Sequence, residues 1–333
     1  MPQSLPSWRK VAVAIPAKDE ETHLPQCLAA LDQAAQRYAG NVILHVLANN
    51  CSDRTNAVLR HTKLSHAELR WSEVSLLEHT RHAGWARRLA LDEAAALLAD
   101  PKDVLESTDA DSTVARDWIT RTLAHIDSGV QAVAGRAFTR PSERRQLGTA
   151  ALQRLNLLQR YQIALDWLRA DELADRDDPW PRHFYEGGAS IALTLETYRR
   201  IGGAPTPPVA EDRALFNAVR EAGGRVRHPI DVQVFTSSRT HGRARGGMAD
   251  AVAQWITQPE SDPLHETYGM PVALFPANAR AHDRLNFLTL PAELARVQAM
   301  IRARRSGTRP QVEPIAVASI LDLHGNVICQ EPA

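Results

Sequence analysis

The chain has 333 residues, and its 39 basic and 39 acidic side chains leave a formal charge of zero. With 44% hydrophobic and 23% charged residues, it has the composition of a globular protein rather than of a disordered one. The charge balance excludes a general electrostatic attraction to nucleic acid or to an anionic membrane surface.

In chain order, Lys10 to Ala17 reads as a buried strand stopped near Pro16. His23 to Tyr38 follows as a helix, with Leu24, Cys27, Leu28 and Leu31 on one face. Val42 to Ala48 is a second strand, and Asn49 to Asp53 a polar turn that caps the next helix. Leu69 to Val74 is a third strand, Trp85 to Leu98 an Ala/Leu-rich helix, and Val104 to Thr108 a short fourth strand. Trp118 to Ile126 reads as helix and Val130 to Ala137 as a fifth strand. Strands separated by helices imply crossover connections and a largely parallel sheet covered on both faces. Ligands gather at the carboxyl ends of the strands in such sheets, so the loops after strands one, two and four are where chemistry is expected.

Glu143 to Leu173 then has helical periodicity through Leu147, Ala151, Leu155, Leu158, Tyr161, Leu165 and Leu168. A polar loop, Asp175 to Tyr185, leads into a strand at Gly187 to Leu193, a helix at Glu211 to Ala222 and a strand at Arg225 to Phe235. From Asp250 onward two or three helices and a tail are expected.

Several motifs carry candidate chemistry, most of them with a plainer structural reading. Asp109-Ala110-Asp111 follows the fourth strand, where two carboxylates one residue apart suit a hard divalent cation that neutralises a diphosphate. A second D-x-D, Asp175 to Asp177, lies in an Arg/Asp-rich loop and reads as a solvated face. Ile15 to Glu21 ends the first strand in acidic residues and reads either as a nucleobase-holding loop or as helix-start acidity, with the second favoured on spacing alone. Asn49 to Thr55 has the same two readings, ligand loop or capping turn. Glu211-Asp212 opens a helix, where an Asp can act as general base or simply complement the macrodipole. Arg239, His241, Arg243 and Arg245 follow the last strand, able to clamp phosphate or to complete a metal shell, or else to form a solvated basic loop.

The order of these pieces resembles the family 2 glycosyltransferases with the GT-A fold. Val13 to Glu21 matches their V-x-I-P-A-x-x-E-E opening, and Asn49 to Thr55 matches in part their D-D-G-S-x-D-x-T turn. Ala86-Arg87-Arg88 matches an A-R-N helix start, and Asp109 to Asp111 the D-A-D motif. Gly187-Gly188 through Gly202-Gly203 matches a glycine-bounded stretch, and Glu211-Asp212 an E-D pair before a helix, so that the likeness covers about residues 9 to 245. The resemblance implies a Rossmann-like, mixed but mainly parallel sheet flanked by helices, with a helical C-terminal extension. It implies a GT-A domain over residues 8–245, its nucleotide-sugar half about 8–135 and its acceptor half about 136–245, with 246–333 as extension and tail.

It also implies a nucleotide-diphosphate-sugar donor, a hydroxyl acceptor, and Mg²⁺ or Mn²⁺. Pro16, Ala17, Glu20 and Asn49 would then line the base pocket, with Arg87 near base or phosphates and Asp109 and Glu211 among the donor contacts. Asp109, Asp111 and His241 would hold the metal, Arg239 and Arg243 the diphosphate, and Asp212 would be the general base of an inverting transfer. Ala48 and Asn49 replace an acidic pair of the family turn, which leaves the donor base open, and Arg88 replaces the Asn of the helix start. The helix Glu143 to Leu173, the loop with Trp180, His183 and Tyr185, and the C-terminal helices would form the acceptor side.

Competing classes are a non-catalytic nucleotide-sugar binding or regulatory protein, a retaining transferase on the same fold, and a sugar-phosphate nucleotidyltransferase. The last would need a Gly-rich, basic loop after the first strand, where this chain has Pro16 to Glu21. A nicotinamide dehydrogenase is disfavoured because no G-x-G-x-x-G follows that strand. The apolar runs Val11 to Ile15 and Ala94 to Ala99 are too short to span a bilayer, and Met1 to Lys10 lacks the apolar stretch of a secretory leader. Cys27, Cys51 and Cys329 have no paired spacing that marks a disulfide framework or a zinc site. The expectation is a cytoplasmic protein without nucleic-acid partners, a homodimer being one candidate assembly.

Overall fold

The computed structural model describes residues 9–140, 143, 147–237, 248–264 and 285–306. The chain divides into two compact units, Met1–Pro141 with Ala174–Ser237, and Ser142–Leu173 with Ser238–Ala333.

The first unit is built on a seven-stranded sheet: β1 (Val11–Ala17), β2 (Val42–Asn49), β3 (Glu68–Val74), β4 (Val104–Ser107), β6 (Ala132–Ala134), β8 (Ile191–Thr194) and β9 (Val226–Arg227). Their order is β3-β2-β1-β4-β8-β6-β9. The first four run parallel, and β8 enters antiparallel between β4 and β6, so the sheet is mixed but mainly parallel. Helices α1 (Leu24–Ala35), α2 (Thr55–His61) and α4 (Trp118–Asp127) cover one face. The other face is covered by α3 (Ala83–Ala95), α6 (Leu195–Arg200) and α7 (Glu211–Glu221).

Alternation along β1 shows why both faces pack. Val11, Val13 and Ile15 face α1 and α4, while Ala12 and Ala14 face Ala90 and Ala94 of α3, where small side chains let the helix lie close to the sheet. The Pro in β1 is tolerated because it stands at the strand's end, beyond the last β1–β4 pair, Ala14↔Ser107.

Two long strand expectations break in the structure. Val130 to Ala137 divides at Gly135 into β6 and β7 (Arg136–Thr139), and Arg225 to Phe235 divides into β9 and β10 (Gln233–Thr236). The second pieces join β5 (Thr113–Val114) in a three-stranded sheet of order β5-β10-β7. Gly135, at the break, packs against β8's entry so closely that a Cβ there would meet the Ser190 hydroxyl at 2.0 Å. The helix α6, which continues β8 and is capped by Thr194 through the Thr197 N–H, was not anticipated.

In the second unit, α5 (Thr149–Leu173), α8 (Met248–Thr257) and α9 (Leu290–Arg305) share a core. Leu158, Tyr161, Leu165 and Leu168 of α5 pack with Trp255, Leu264, Phe287, Leu290 and Leu294. Arg154 donates to the carbonyls of Ile256 and Gln258, so it closes the C-terminus of α8. No described helix is long and apolar enough to cross a membrane.

Candidate active site

The carboxyl ends of β1, β2 and β4 meet on one edge of the sheet, and their loops are stitched together. Asn49 ends β2 buried, and its amide donates to the Ala17 carbonyl at the end of β1 (3.0 Å). Asp19 accepts from the Ser52 N–H at 2.6 Å and from the Asp53 N–H at 3.3 Å. Asp53 answers by accepting from the Glu21 N–H at 3.0 Å, and Thr55 Oγ1 accepts from the Glu20 N–H at 2.8 Å. The Ser52 N–H, foremost among its contacts, holds the Asp19 carboxyl below the ordinary carboxylate range. Asp19 and Asn50 both adopt left-handed backbone, at φ of 52° and 46°, a conformation that Asp and Asn reach more cheaply than other non-glycine residues. Glu20 is buried, with its carboxylate 3.1 Å from His23 Nδ1. Asp19, Cys51 and Asp53 form a group of potential metal ligands, yet the two carboxylates are engaged by loop N–H groups, which makes them a clasp between the loops.

Arg87, one turn into α3, is the hub of the opposite side. It is buried and reaches four partners: Asp109 Oδ1 at 2.7 Å, Gly188 O at 3.0 Å, Ser107 Oγ at 3.1 Å and Glu211 Oε1 at 3.2 Å. Burial works against its charge, but Asp109 and Glu211 more than offset that and raise its pKa. Gly188 must be glycine, because a Cβ there would lie 2.0 Å from Arg87 Nη2. The adjacent Arg88 is also structural: it pairs with Asp92 at 2.6 Å and donates to the Ala204 carbonyl at 3.0 Å, which anchors the turn after Gly203.

Asp212 sits in the first turn of α7, after Ala210 in left-handed backbone at φ 61°. Its Oδ2 accepts from the Gly188 N–H at 2.9 Å and its Oδ1 from the Arg213 N–H at 2.8 Å. Burial, followed by the neighbouring Glu211 charge, pushes its carboxyl up to about 6 against the pull of Arg87. Gly188 therefore holds Arg87 through its carbonyl and Asp212 through its N–H.

Asp109 and Asp111 lie on the loop after β4. Arg87 takes one oxygen of Asp109, whose side chain remains 36% exposed. The carbonyl of Asp111 accepts from the buried Arg140 guanidinium, and the Asp109 carbonyl faces Cys27 Sγ at 3.6 Å. Thr108 Oγ1 donates to the Ala189 carbonyl (2.7 Å) and Trp118 Nε1 to Ser190 Oγ (2.8 Å), which fix this loop's base against the turn entering β8.

The structure thus brings together Arg87, Asp109, Glu211 and, through Gly188, Asp212, while Pro16, Ala17, Glu20 and Asn49 line the ends of β1 and β2. Arg239, His241 and Arg243 lie outside the described residues. Ser107, Gly188 and Arg140 gain site contacts that sequence reading did not assign to them; only Gly188 stood in a recognised motif. In the 175–185 loop, Asp175 and Asp177 are exposed as the solvated reading expects, and Trp180 is 42% exposed, but His183 is buried and offers no surface for a ligand.

Several solved structures resemble this one. S. aureus TarS is 13% identical with a TM-score of 0.47, over 90% of this chain and 44% of TarS, so the chain spans less than half of that protein. The mannosyltransferase PcManGT from Pyrobaculum calidifontis, in complex with GDP-Man and Mn²⁺, is 20% identical with a TM-score of 0.47, over 90% of this chain and 80% of its own. Glucosyl-3-phosphoglycerate synthase from M. tuberculosis is 17% identical with a TM-score of 0.41, over 77% and 83% of the two chains. No curated protein matches the sequence. The family model described as "Glycosyl transferase family 2" matches residues 12–191, from the first strand to the start of the strand beside β4. Since that match takes in more than half of the chain, the protein belongs to glycosyl transferase family 2 and is a glycosyltransferase.

Proposed function

We propose that the protein moves a sugar from a nucleoside-diphosphate donor to a hydroxyl acceptor with inversion, Asp212 being the general base. The observation that carries this reading is the setting of Asp212. It is a half-buried carboxylate held by two backbone N–H groups, raised to about 6, in a wall shared with Asp109 through Arg87 and Gly188. A base needs a pKa near the working pH so that it is ionised and still accepts a proton, and a carboxyl at about 6 satisfies both.

In this reading the ends of β1 and β2 take the nucleoside, with Glu20 and Asn49 as the buried polar groups beside it. Asp109 and Asp111 supply two hard oxygen donors one residue apart on a partly exposed loop, a donor set that fits Mg²⁺ or Mn²⁺. When bound there, the cation supplies positive charge opposite the leaving diphosphate. Arg87 keeps Asp109 oriented through its bond to Oδ1. Asp212 takes the proton of the acceptor hydroxyl as its oxygen attacks the anomeric carbon, and the bond from that carbon to the diphosphate oxygen breaks. Arg239, His241 and Arg243 are assigned to the diphosphate and metal in the same proposal, as are residues 8–245 to the transferase domain.

The test is a thermal-shift panel of nucleoside diphosphates and nucleotide sugars with and without Mn²⁺. A donor at 100 times its Kd adds about 2.7 kcal/mol to stability. Asp109→Ala and Asp111→Ala are each expected to abolish the metal-dependent part of that shift. Asp212→Asn is expected to keep it and to lower turnover by about 10²–10⁴. Near-normal turnover in Asp212→Asn removes the base assignment.

A further inference from the structure

Beneath the Gly187-Gly188 segment lies a buried ionic cluster that the transfer reaction itself does not call on. His228, 4% exposed, follows β9. Its Nδ1 is 2.6 Å from Asp178 Oδ2 and its Nε2 is 3.0 Å from Glu186 Oε1. Its backbone N–H donates to Asp178 Oδ1 at 2.9 Å, and its carbonyl accepts from the His183 N–H at 3.0 Å. Three guanidiniums share the two carboxylates: Arg182 reaches Asp178 at 2.6 Å, Arg227 also binds Asp178, and Arg220 binds Glu186. The His183 ring stands edge-on to His228 at 5.8 Å, and the Phe216 ring of α7 lies at 6.5 Å.

Two carboxylate oxygens on opposite ring nitrogens need two ring N–H donors, and only the imidazolium has both. Although burial opposes that charge, the bonds to Asp178 and Glu186 raise the His228 pKa above its ordinary value. His183 behaves oppositely, because burial and then the His228 charge lower it, and it stays neutral with Nδ1 accepting from the Tyr185 N–H. Arg136 adds to that lowering. Arg182 Nη2 at 3.5 Å from Nδ1 and Arg220 Nη2 at 3.4 Å from Nε2 are fellow donors to the same carboxylates.

The placement of this cluster gives it a consequence at the reaction centre. Glu186 is two residues before Gly188, which holds Asp212 at 2.9 Å and Arg87 at 3.0 Å. Helix α7 carries Asp212 in its first turn and Arg220, on Glu186, in its last. Segment 178–188 and α7 are therefore joined at both ends, with His228 in the middle of the closed circuit.

We propose that His228 is a positioning residue: by clamping Asp178 and Glu186 it holds segment 178–188 so that the Gly188 N–H is aimed at Asp212. The catalytic consequence rests on the reading of Asp212 as the base, whereas the positioning itself is read without any substrate. Carboxyl ¹³C NMR of the full chain reports the Asp212 titration, and ring ¹³C NMR that of His228. A lost N–H bond to a carboxylate raises its pKa. In His228→Asn the Asp212 midpoint is expected to move up from about 6 by about 0.5 or more. Glu186→Gln keeps an acceptor for Nε2–H but removes its charge, so there the His228 midpoint falls and, with the clamp weakened, the Asp212 midpoint rises as it does in His228→Asn. An Asp212 midpoint unchanged in a folded His228→Asn overturns the proposal. If that variant does not fold, an unchanged Asp212 midpoint in Glu186→Gln overturns it. Turnover of Asp212→Asn separately decides whether Asp212 is the base, so failure of one reading is distinguishable from failure of the other.

Discussion

Gly188 shows how much of the site depends on the absence of one carbon. Its carbonyl and N–H face two different charged side chains, and the space where a Cβ would stand is filled by Arg87. Arg87 is pinned by four partners and does not swing aside freely. Gly188→Ala is therefore expected to displace the guanidinium from Asp109 and Glu211. Breaking a buried ion pair by disturbing one partner costs about 3–5 kcal/mol, so a melting temperature within a degree of wild type, with full turnover, would contradict the hub role of Arg87. Arg87→Lys tests the same point from the other side. A single ammonium cannot span partners on β4, on the turn leading to β8 and on α7, and the variant is expected to lose both stability and donor orientation.

At the scale of elements, β4 carries a feature that its packing explains. Val104 and Glu106 point to the same face, toward the core made with α1 and α4, and Glu106 is buried with neither carboxylate oxygen partnered among the described residues. Burial alone keeps its carboxyl protonated well above the ordinary carboxylate range. Replacing it by an apolar side chain of similar size removes an unpaired polar group, worth about 1–3 kcal/mol. Glu106→Leu is expected to raise the melting temperature, and a lowered one would show that the carboxyl has a partner after all. The alternation that makes Val104 and Leu105 face opposite cores was legible from apolar runs, and so were the helices between them. The breaks at Gly135 and around His228 to Asp231 were not, because a run of apolar residues does not reveal which of two sheets its second half joins. The same holds in the site: Asp109, Arg87, Glu211 and Asp212 stood out by motif order. The bond joining Arg87 to Glu211 spans 124 residues of sequence and follows only from the fold.

For the molecule as a whole, the shifted groups oppose one another across the pH scale. Asp178 and Glu186 are held down in the fold despite their burial, by bonds to His228. Their contribution is present above the unfolded values of 3.8 and 4.5 and is lost as pH falls through their folded values. Asp212, Glu106 and His228 are raised, so their contributions are present below the unfolded values and are lost as pH rises through the folded ones. For Asp212, a rise from 3.8 to about 6 means that about 3 kcal/mol is given up between those limits. His228 extends the loss upward from about pH 6.5. The melting temperature is accordingly expected to peak on the acidic side of neutrality and to fall toward pH 8.5, followed by calorimetry across that range. In Asp212→Asn the descent between about pH 4 and 7 is expected to be shallower by about 3 kcal/mol. Parallel pH profiles for the two proteins would mean that Asp212 titrates in the fold as it does in the unfolded chain, and its burial against Gly188 would then not tune it for proton transfer.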